Sequence, residues 1–313
     1  MLISKLSELR AGLMGVAIIS VIGYHLYCWV NGVPILRIFK WGFVGVDVFM
    51  FASAFGLCFS YERNSLPAFY CNRLKRIFPL VIFQAAIVAV IGYSYLGHDI
   101  GFAVKSFLAY STTLNYYVPG FNHGPWFIPA IVLLYLVFPM MFKLVDYCRG
   151  GGALVVSFVC LLLSWKVSPM IGWYYDCLMS RIPIFLLGIL AFMVIRGKLQ
   201  IKARDALCWF LIWAISLSFS GSRFFIAAMF CPMFIMAAGL LLSFPRCESV
   251  FRWCGMHSME LFLGHALGAR MARAIFDVDS RCGLGALAIM VAAMFAGCIV
   301  QLAASKIIYK YLK

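Results

Sequence analysis

The chain has 313 residues, 65% of them hydrophobic and only 12% charged, with 26 Lys and Arg against 11 Asp and Glu. Soluble domains run nearer half apolar and a quarter charged, and any folded globule leaves a sizeable shell facing water. The composition therefore excludes a soluble enzyme, a disordered chain and a secreted disulfide scaffold, and makes lipid the main solvent. The formal charge of +15 falls mostly between apolar runs. That placement fits anionic headgroups and the positive-inside rule and does not suggest nucleic acid as a partner.

In chain order, Lys5 and Arg10 precede an apolar stretch that carries His25 and lacks a small-x-small cleavage site. It reads as a retained first span and not as a signal peptide. Apolar runs long enough to cross a bilayer, about 17 to 25 residues each, cover 11–30, 42–60, 77–97, 126–146, 152–170, 180–196, 204–221, 223–243, 255–275 and 283–308. The stretch 98–125, rich in Tyr, Ser, Thr and Asn, reads as a loop with a short amphipathic helix. With the N-terminus inside, the inner segments hold seventeen of the 26 basic residues, from Lys5 and Arg10 to Lys306, Lys310 and Lys313. The expected architecture is all-α: a polytopic membrane helix bundle of about ten transmembrane helices with both termini cytoplasmic. The bundle is read as one domain over 1–313 with no appended soluble domain. The twelve cysteines lie mainly inside apolar runs without any Cys-x-x-Cys pair, as small buried apolar residues would; neither a metal site nor a structural bridge is implied. Pro79, Pro129, Pro139, Pro183 and Pro232 fall within or at the ends of spans, where packing kinks are their ordinary role.

Ionisable side chains inside hydrocarbon are functional candidates by default. His25, fifteen positions after Arg10, stands roughly 20 Å up the first span at 1.5 Å per residue. Asp47, near the start of the second span, lies at a matching depth. A carboxylate there can fix the imidazole tautomer and raise its basicity; alternatively His25 is a hydrogen-bonded interfacial histidine. On the ninth span Ser258, Leu261 and His265 share a helical face, whereas Glu260 points away from His265. Ser258 and Glu260 have a plain reading as helix-capping groups; His265 lies deeper and fits either a structural or a functional role. Arg73, Lys75 and Arg76 form a compact basic group at the mouth of the third span. They suit either membrane anchoring or a clamp for phosphate oxygens, and no Walker or dinucleotide glycine pattern accompanies them.

Several of these segments together resemble the acyltransferase 3 family of integral-membrane O-acyltransferases. Ser7-Glu8-Leu9-Arg10 followed by Tyr24-His25-Leu26 resembles that family's first-span signature, and Gly45-Val46-Asp47-Val48-Phe49 with Ser53 its Gly-Val-Asp motif. Phe69-Tyr70 with Arg73, Arg76 and Pro79 is similar to its aromatic-x-x-Arg-x-x-Arg-x-x-Pro segment. Pro125-Trp126-Phe127 through Tyr135 and Phe138-Pro139 is similar to its Trp…Tyr-x-x-Phe-Pro span. Arg181-x-Pro183 with Gly188, and Ser258-x-Glu260-Leu261 with His265, match two later signatures. One departure stands out: the family arginine expected eleven positions before the histidine falls on Met14, and Arg10 lies one turn earlier on nearly the same face.

The resemblance implies a donor substrate, acyl-CoA and usually acetyl-CoA, and no bound cofactor or metal. It implies phosphate contacts from Arg73, Lys75, Arg76 and Arg10, and a general base, His25, oriented by Asp47. His123, Trp126, Tyr135, Arg181, Ser258, Glu260 and His265 would contact the acceptor or support the site. The implied partners are acyl-CoA, a glycan or other hydroxyl-bearing acceptor and the lipid bilayer, and the implied location is the inner membrane of a bacterial cell. A proton-coupled transporter or flippase using the intramembrane His and Asp is the competing reading. It would show inverted repeats with paired broken helices, and none is evident. A non-catalytic scaffold would need neither His25 nor Asp47.

Overall fold

A backbone in lipid must satisfy its own hydrogen bonds, so the apolar runs become helices. The computed structural model describes residues 2–114, 126–148, 150–171, 177–200, 203–217, 231 and 234–311. The helices are α1 (Leu2–Trp29), α2 (Val44–Arg63), α3 (Leu66–Tyr95), α4 (Ile100–Ser111), α5 (Phe127–Tyr147), α6 (Gly151–Ile171), α7 (Ile182–Ile195), α8 (Ala203–Leu217), α9 (Pro245–Met256), α10 (Ser258–Phe276) and α11 (Gly283–Tyr311). No strand occurs among the described residues, so the all-α expectation holds.

Among the described residues, six segments are long and apolar enough to cross a membrane: Leu9–Trp29, Pro34–Arg63, Leu66–Tyr95, Phe127–Tyr147, Cys177–Ile195 and Gly283–Tyr311. Of the expected span 223–243, residues 223–230, 232 and 233 lie outside the described residues. The expected span 255–275 divides at His257, with α9 ending before it and α10 starting after it. α10 is a poor hydrocarbon helix by composition, because Glu260, His265, Arg270 and Arg273 interrupt it.

Two other boundaries differ from expectation in ways that move functional groups. α3 begins at Leu66, eleven residues before the predicted span, with Pro in its first turn, where the missing N–H has no helical partner to lose. Arg73, Lys75 and Arg76 therefore sit on the helix and not at its mouth. In the polar stretch after α3, Asp99 caps α4 by accepting from the Phe102 backbone N–H at 2.9 Å. The short helix predicted there is present.

Contacts fix the mutual directions. Arg10 reaches the Ala52 carbonyl and lies against Gly56, while Gly45 meets the Ala17 carbonyl, so α1 and α2 run antiparallel. Asp47 meets Arg181 and Glu62 meets Arg196, so α2 and α7 run parallel. α10 and α11 form the tightest pair. A Cβ on Gly264 would collide with the Cys298 backbone, and one on Gly268 with the Ala293 carbonyl. Gly264-x-x-x-Gly268 is thus a close-approach face of the kind that substitutes for hydrophobic driving force between helices in lipid. It holds α10 against α11 and leaves the His265 side of α10 to face α1. The main core joins α1, α2, α3, α5 and α7 around Met50, Phe69, Phe138, Phe185 and Phe192. The bundle has two chemically distinct ends: one where α1 starts, one where it finishes.

Candidate active site

At the end where α1 finishes, a cavity of about 810 Å³ opens among α1, α3, α5, α7 and α10. His25 and His265 lie on its wall, 2.8 Å apart from Nδ1 of His25 to Nε2 of His265. The other nitrogen of His265, Nδ1, is 3.1 Å from the Leu261 carbonyl oxygen. A carbonyl only accepts, so His265 Nδ1 carries the proton and donates it. The neutral ring then has a lone pair on Nε2, and His25 Nδ1–H donates to it. The consequence falls on the far side of His25: Nε2 is left with a lone pair beside the cavity. That is the electronic state of a general base.

Aromatic rings hold this pair in place. The Trp29 indole stacks on the His25 imidazole with centroids 4.5 Å apart and planes 4° from parallel. Trp29 is one turn after His25, so helical spacing alone brings the rings together. The Arg273 guanidinium lies 4.6 Å over the same indole and pairs with Asp279 at 3.1 Å.

The expected His25–Asp47 pair is not formed. Asp47 is fully buried and its carboxylate pairs with the equally buried Arg181 at 3.3 Å. Matching depth on two helices leaves rotation about each axis undetermined, and here Asp47 turns toward α7. Arg181 also receives the Trp126 ring, at 4.9 Å from its guanidinium carbon, and both residues line the cavity. Asp47 thus holds a wall residue of the cavity in place. His123 lies outside the described residues.

The opposite end gathers cations. Arg10, Arg73, Arg76 and Tyr135 are close enough to bias one another electrostatically. Arg10 Nε donates to the Ala52 carbonyl at 3.1 Å and Arg73 Nη2 to the Ser60 hydroxyl at 3.0 Å. Arg73 Nε is buried without a hydrogen-bond partner among the described residues. None of the three arginines makes an ion pair with a described residue. Gly56 makes room for Arg10: a Cβ there would stand 2.8 Å from the guanidinium carbon. Met14 is part of the hydrophobic core, so the basic role at this end belongs to Arg10 and not to position 14. Lys75 is exposed and sits about 100° round the helix from Arg76. It is the outlying member of the basic group. Tyr135 belongs with these arginines and not with the cavity.

Ser258 and Glu260 are likewise at the arginine end. His257, not Ser258, occupies the N-cap position of α10, and no side chain caps the helix there. Glu260 instead accepts from the Ser305 hydroxyl on α11 at 2.7 Å, with His257 Nδ1 3.9 Å away. Its carboxylate ties α10 to α11. Wall residues that escaped the sequence reading include Trp29, Gln84, Arg270 and Arg273. For Trp29 the one-turn spacing from His25 was the available signal, and for Gln84 its polarity in the middle of an apolar helix.

The acyltransferase 3 family model, described as an acyltransferase domain, matches residues 12–305. A protein of Acidianus two-tailed virus named as an acetyltransferase, ORF330, is 30% identical over 154 residues, 48% of this chain and 46% of the viral protein. Peptidoglycan O-acetyltransferase OatA of Listeria monocytogenes is 35% identical over 95 residues, 28% of this chain and 14% of OatA. The chain thus spans about half of one relative and a small part of the other. No solved structure matches. With the family model covering nearly all of it, this multi-pass membrane chain belongs to the acyltransferase 3 family.

Proposed function

We propose that the protein is a membrane O-acetyltransferase that takes the acetyl group of cytoplasmic acetyl-CoA and passes it to a hydroxyl of a glycan or glycan-like acceptor on the outer side. The observation that carries this reading is the hydrogen-bonded chain from Leu261 through His265 to His25, which leaves a basic nitrogen on the wall of an open cavity. His25 Nε2 takes the proton of the acceptor hydroxyl as its oxygen attacks the acetyl carbonyl. The C–S bond of the thioester then breaks, and the leaving sulfur receives the proton from His25. His265 supports the transient imidazolium by accepting from Nδ1–H, and the stacked Trp29 face does so electrostatically.

The donor enters at the other end. Three guanidinium groups without carboxylate partners repel one another unless an anion lies among them, and the phosphates of CoA are such an anion. Positive-inside logic puts this end in the cytoplasm, with both termini there and about ten crossings in all. The name of the Listeria relative supports a cell-envelope glycan as the acceptor class. The test is to incubate purified protein with radiolabelled acetyl-CoA and a cell-envelope extract. Alkali-labile label on a glycan fraction is the expected result; label-free extract with intact acetyl-CoA would reject the proposal.

A further inference from the structure

Gln84 sits on the inward face of α3 among Ile77, Leu80, Val81, Ala85 and Val88, all apolar. It is 5% exposed, and its Oε1 has no hydrogen-bond partner among the described residues. It lines the same cavity as His25 and His265. Burying an amide without a partner is unfavourable, and a leucine or methionine at this position would avoid that. A carboxamide whose oxygen is unpartnered, on the wall that carries the base, therefore points to a ligand atom as its missing partner.

The chemistry narrows which atom. When a hydroxyl attacks an acyl carbonyl, the carbonyl oxygen gains negative charge and needs a fixed donor. Several donors on this wall are already engaged. Arg181 holds Asp47 and Ser180, Arg273 holds Asp279, and Arg270 donates to the Tyr110 hydroxyl. His25 Nδ1 bonds His265. The Gln84 amide, turning about its last bond, can present its NH₂ to the cavity. We infer that Gln84 donates an N–H to the acyl carbonyl oxygen and to the oxyanion it becomes, a catalytic role that rests on the acyl-transfer reading of the histidine pair. The acceptor oxygen bonds to the carbonyl carbon, its proton goes to His25, and the carbonyl π electrons move onto the oxygen that Gln84 holds. Collapse restores the C=O bond, expels the thiolate, and returns the proton from His25 to sulfur.

Purified wild type, Gln84→Met and Gln84→Glu are compared with radiolabelled acetyl-CoA and saturating cell-envelope extract, and thermal midpoints are recorded alongside. Both variants should lose about 10²- to 10³-fold in kcat, as removal of one oxyanion donor does, with the acetyl-CoA KM within about twofold. Gln84→Met should unfold at or above the wild-type temperature, because it removes an unsatisfied buried amide. Full kcat in Gln84→Met would overturn the assignment. So would retained kcat in Gln84→Glu at a pH high enough to ionise its carboxyl, since a carboxylate can accept from a hydroxyl but cannot donate, and so would a Gln84→Met variant that melts below wild type. A wild type that labels nothing would reject the acyl-transfer reading itself; a labelling wild type with a fully active Gln84→Met would reject only the role of Gln84.

Discussion

At the end of the bundle where α1 starts, Arg10, Arg73 and Arg76 face a hydroxyl, a carbonyl and one another. At the end where α1 finishes, Arg181 and Arg273 each face a carboxylate, Asp47 and Asp279. The second arrangement is self-sufficient: each cation is neutralised by the protein and serves as part of a wall. The first is incomplete, since like charges in a low-dielectric setting repel strongly, and it gains from an anion brought by a ligand. Within one fold, then, the charge partner separates arginines that build from arginines that bind. The periphery of the arginine end makes the same point, because Arg196 and Lys198 there share Glu62 at 2.9 and 2.8 Å.

This division can be broken experimentally. The largest effect belongs to His25→Ala, which should lower kcat by about 10²- to 10⁴-fold while membrane insertion and the acetyl-CoA KM stay near wild type. A rise in KM instead would mean that the two ends are not functionally separate. Next, Arg73→Ala should raise the acetyl-CoA KM by roughly 10- to 100-fold, the equivalent of one charge-assisted hydrogen bond of about 1.5–3 kcal/mol. Its kcat should be retained, and its thermal midpoint should not fall, since repulsion within the cluster is relieved. His265→Ala frees the His25 tautomer and should lower kcat by about 5- to 30-fold, the equivalent of about 1–2 kcal/mol. The double variant with His25→Ala should be no worse than His25→Ala alone, because the two residues act as a unit. The smallest effect is that of Glu62→Gln. An exposed ion pair contributes less than about 1 kcal/mol, so stability should shift by no more than that and kcat should be unchanged.

Much of the fold was legible because lipid leaves a chain few choices. Long apolar runs had to be helices, and the stretch 98–125 reads as holding a short amphipathic helix, which is α4. The start of α3 was hidden because Arg73, Lys75 and Arg76 looked like a membrane boundary, whereas the helix simply extends past it toward Pro67. The break at His257 was hidden because no proline marks the junction and Gly255, two residues before it, reads as a small residue of an apolar run.

The site was legible in its members more than in its pairings. His25, Arg181, Trp126 and His265 all reach one cavity, the two histidines as residue type and depth suggested and Trp126 and Arg181 as the family resemblance implied. Depth along a helix follows from counting residues at a fixed rise, but which neighbour a side chain meets depends on rotation set by tertiary packing. Hence His25 meets His265 where Asp47 was expected, and Tyr135 joins the arginines. Gly264 and Gly268 show why: by seating α10 on α11 they turn His265 toward α1, and that consequence appears only once both helices are packed.

The central claim is that donor and acceptor are served at opposite ends of the bundle. The most direct test reconstitutes the protein in one orientation in sealed liposomes. Radiolabelled acetyl-CoA is supplied only on the side of the arginine end, and an envelope oligosaccharide fraction only on the side of the histidine cavity. Labelled oligosaccharide on the cavity side, lost in His25→Ala, is the predicted result. Labelling that occurs only when acetyl-CoA and oligosaccharide share one compartment would contradict the account.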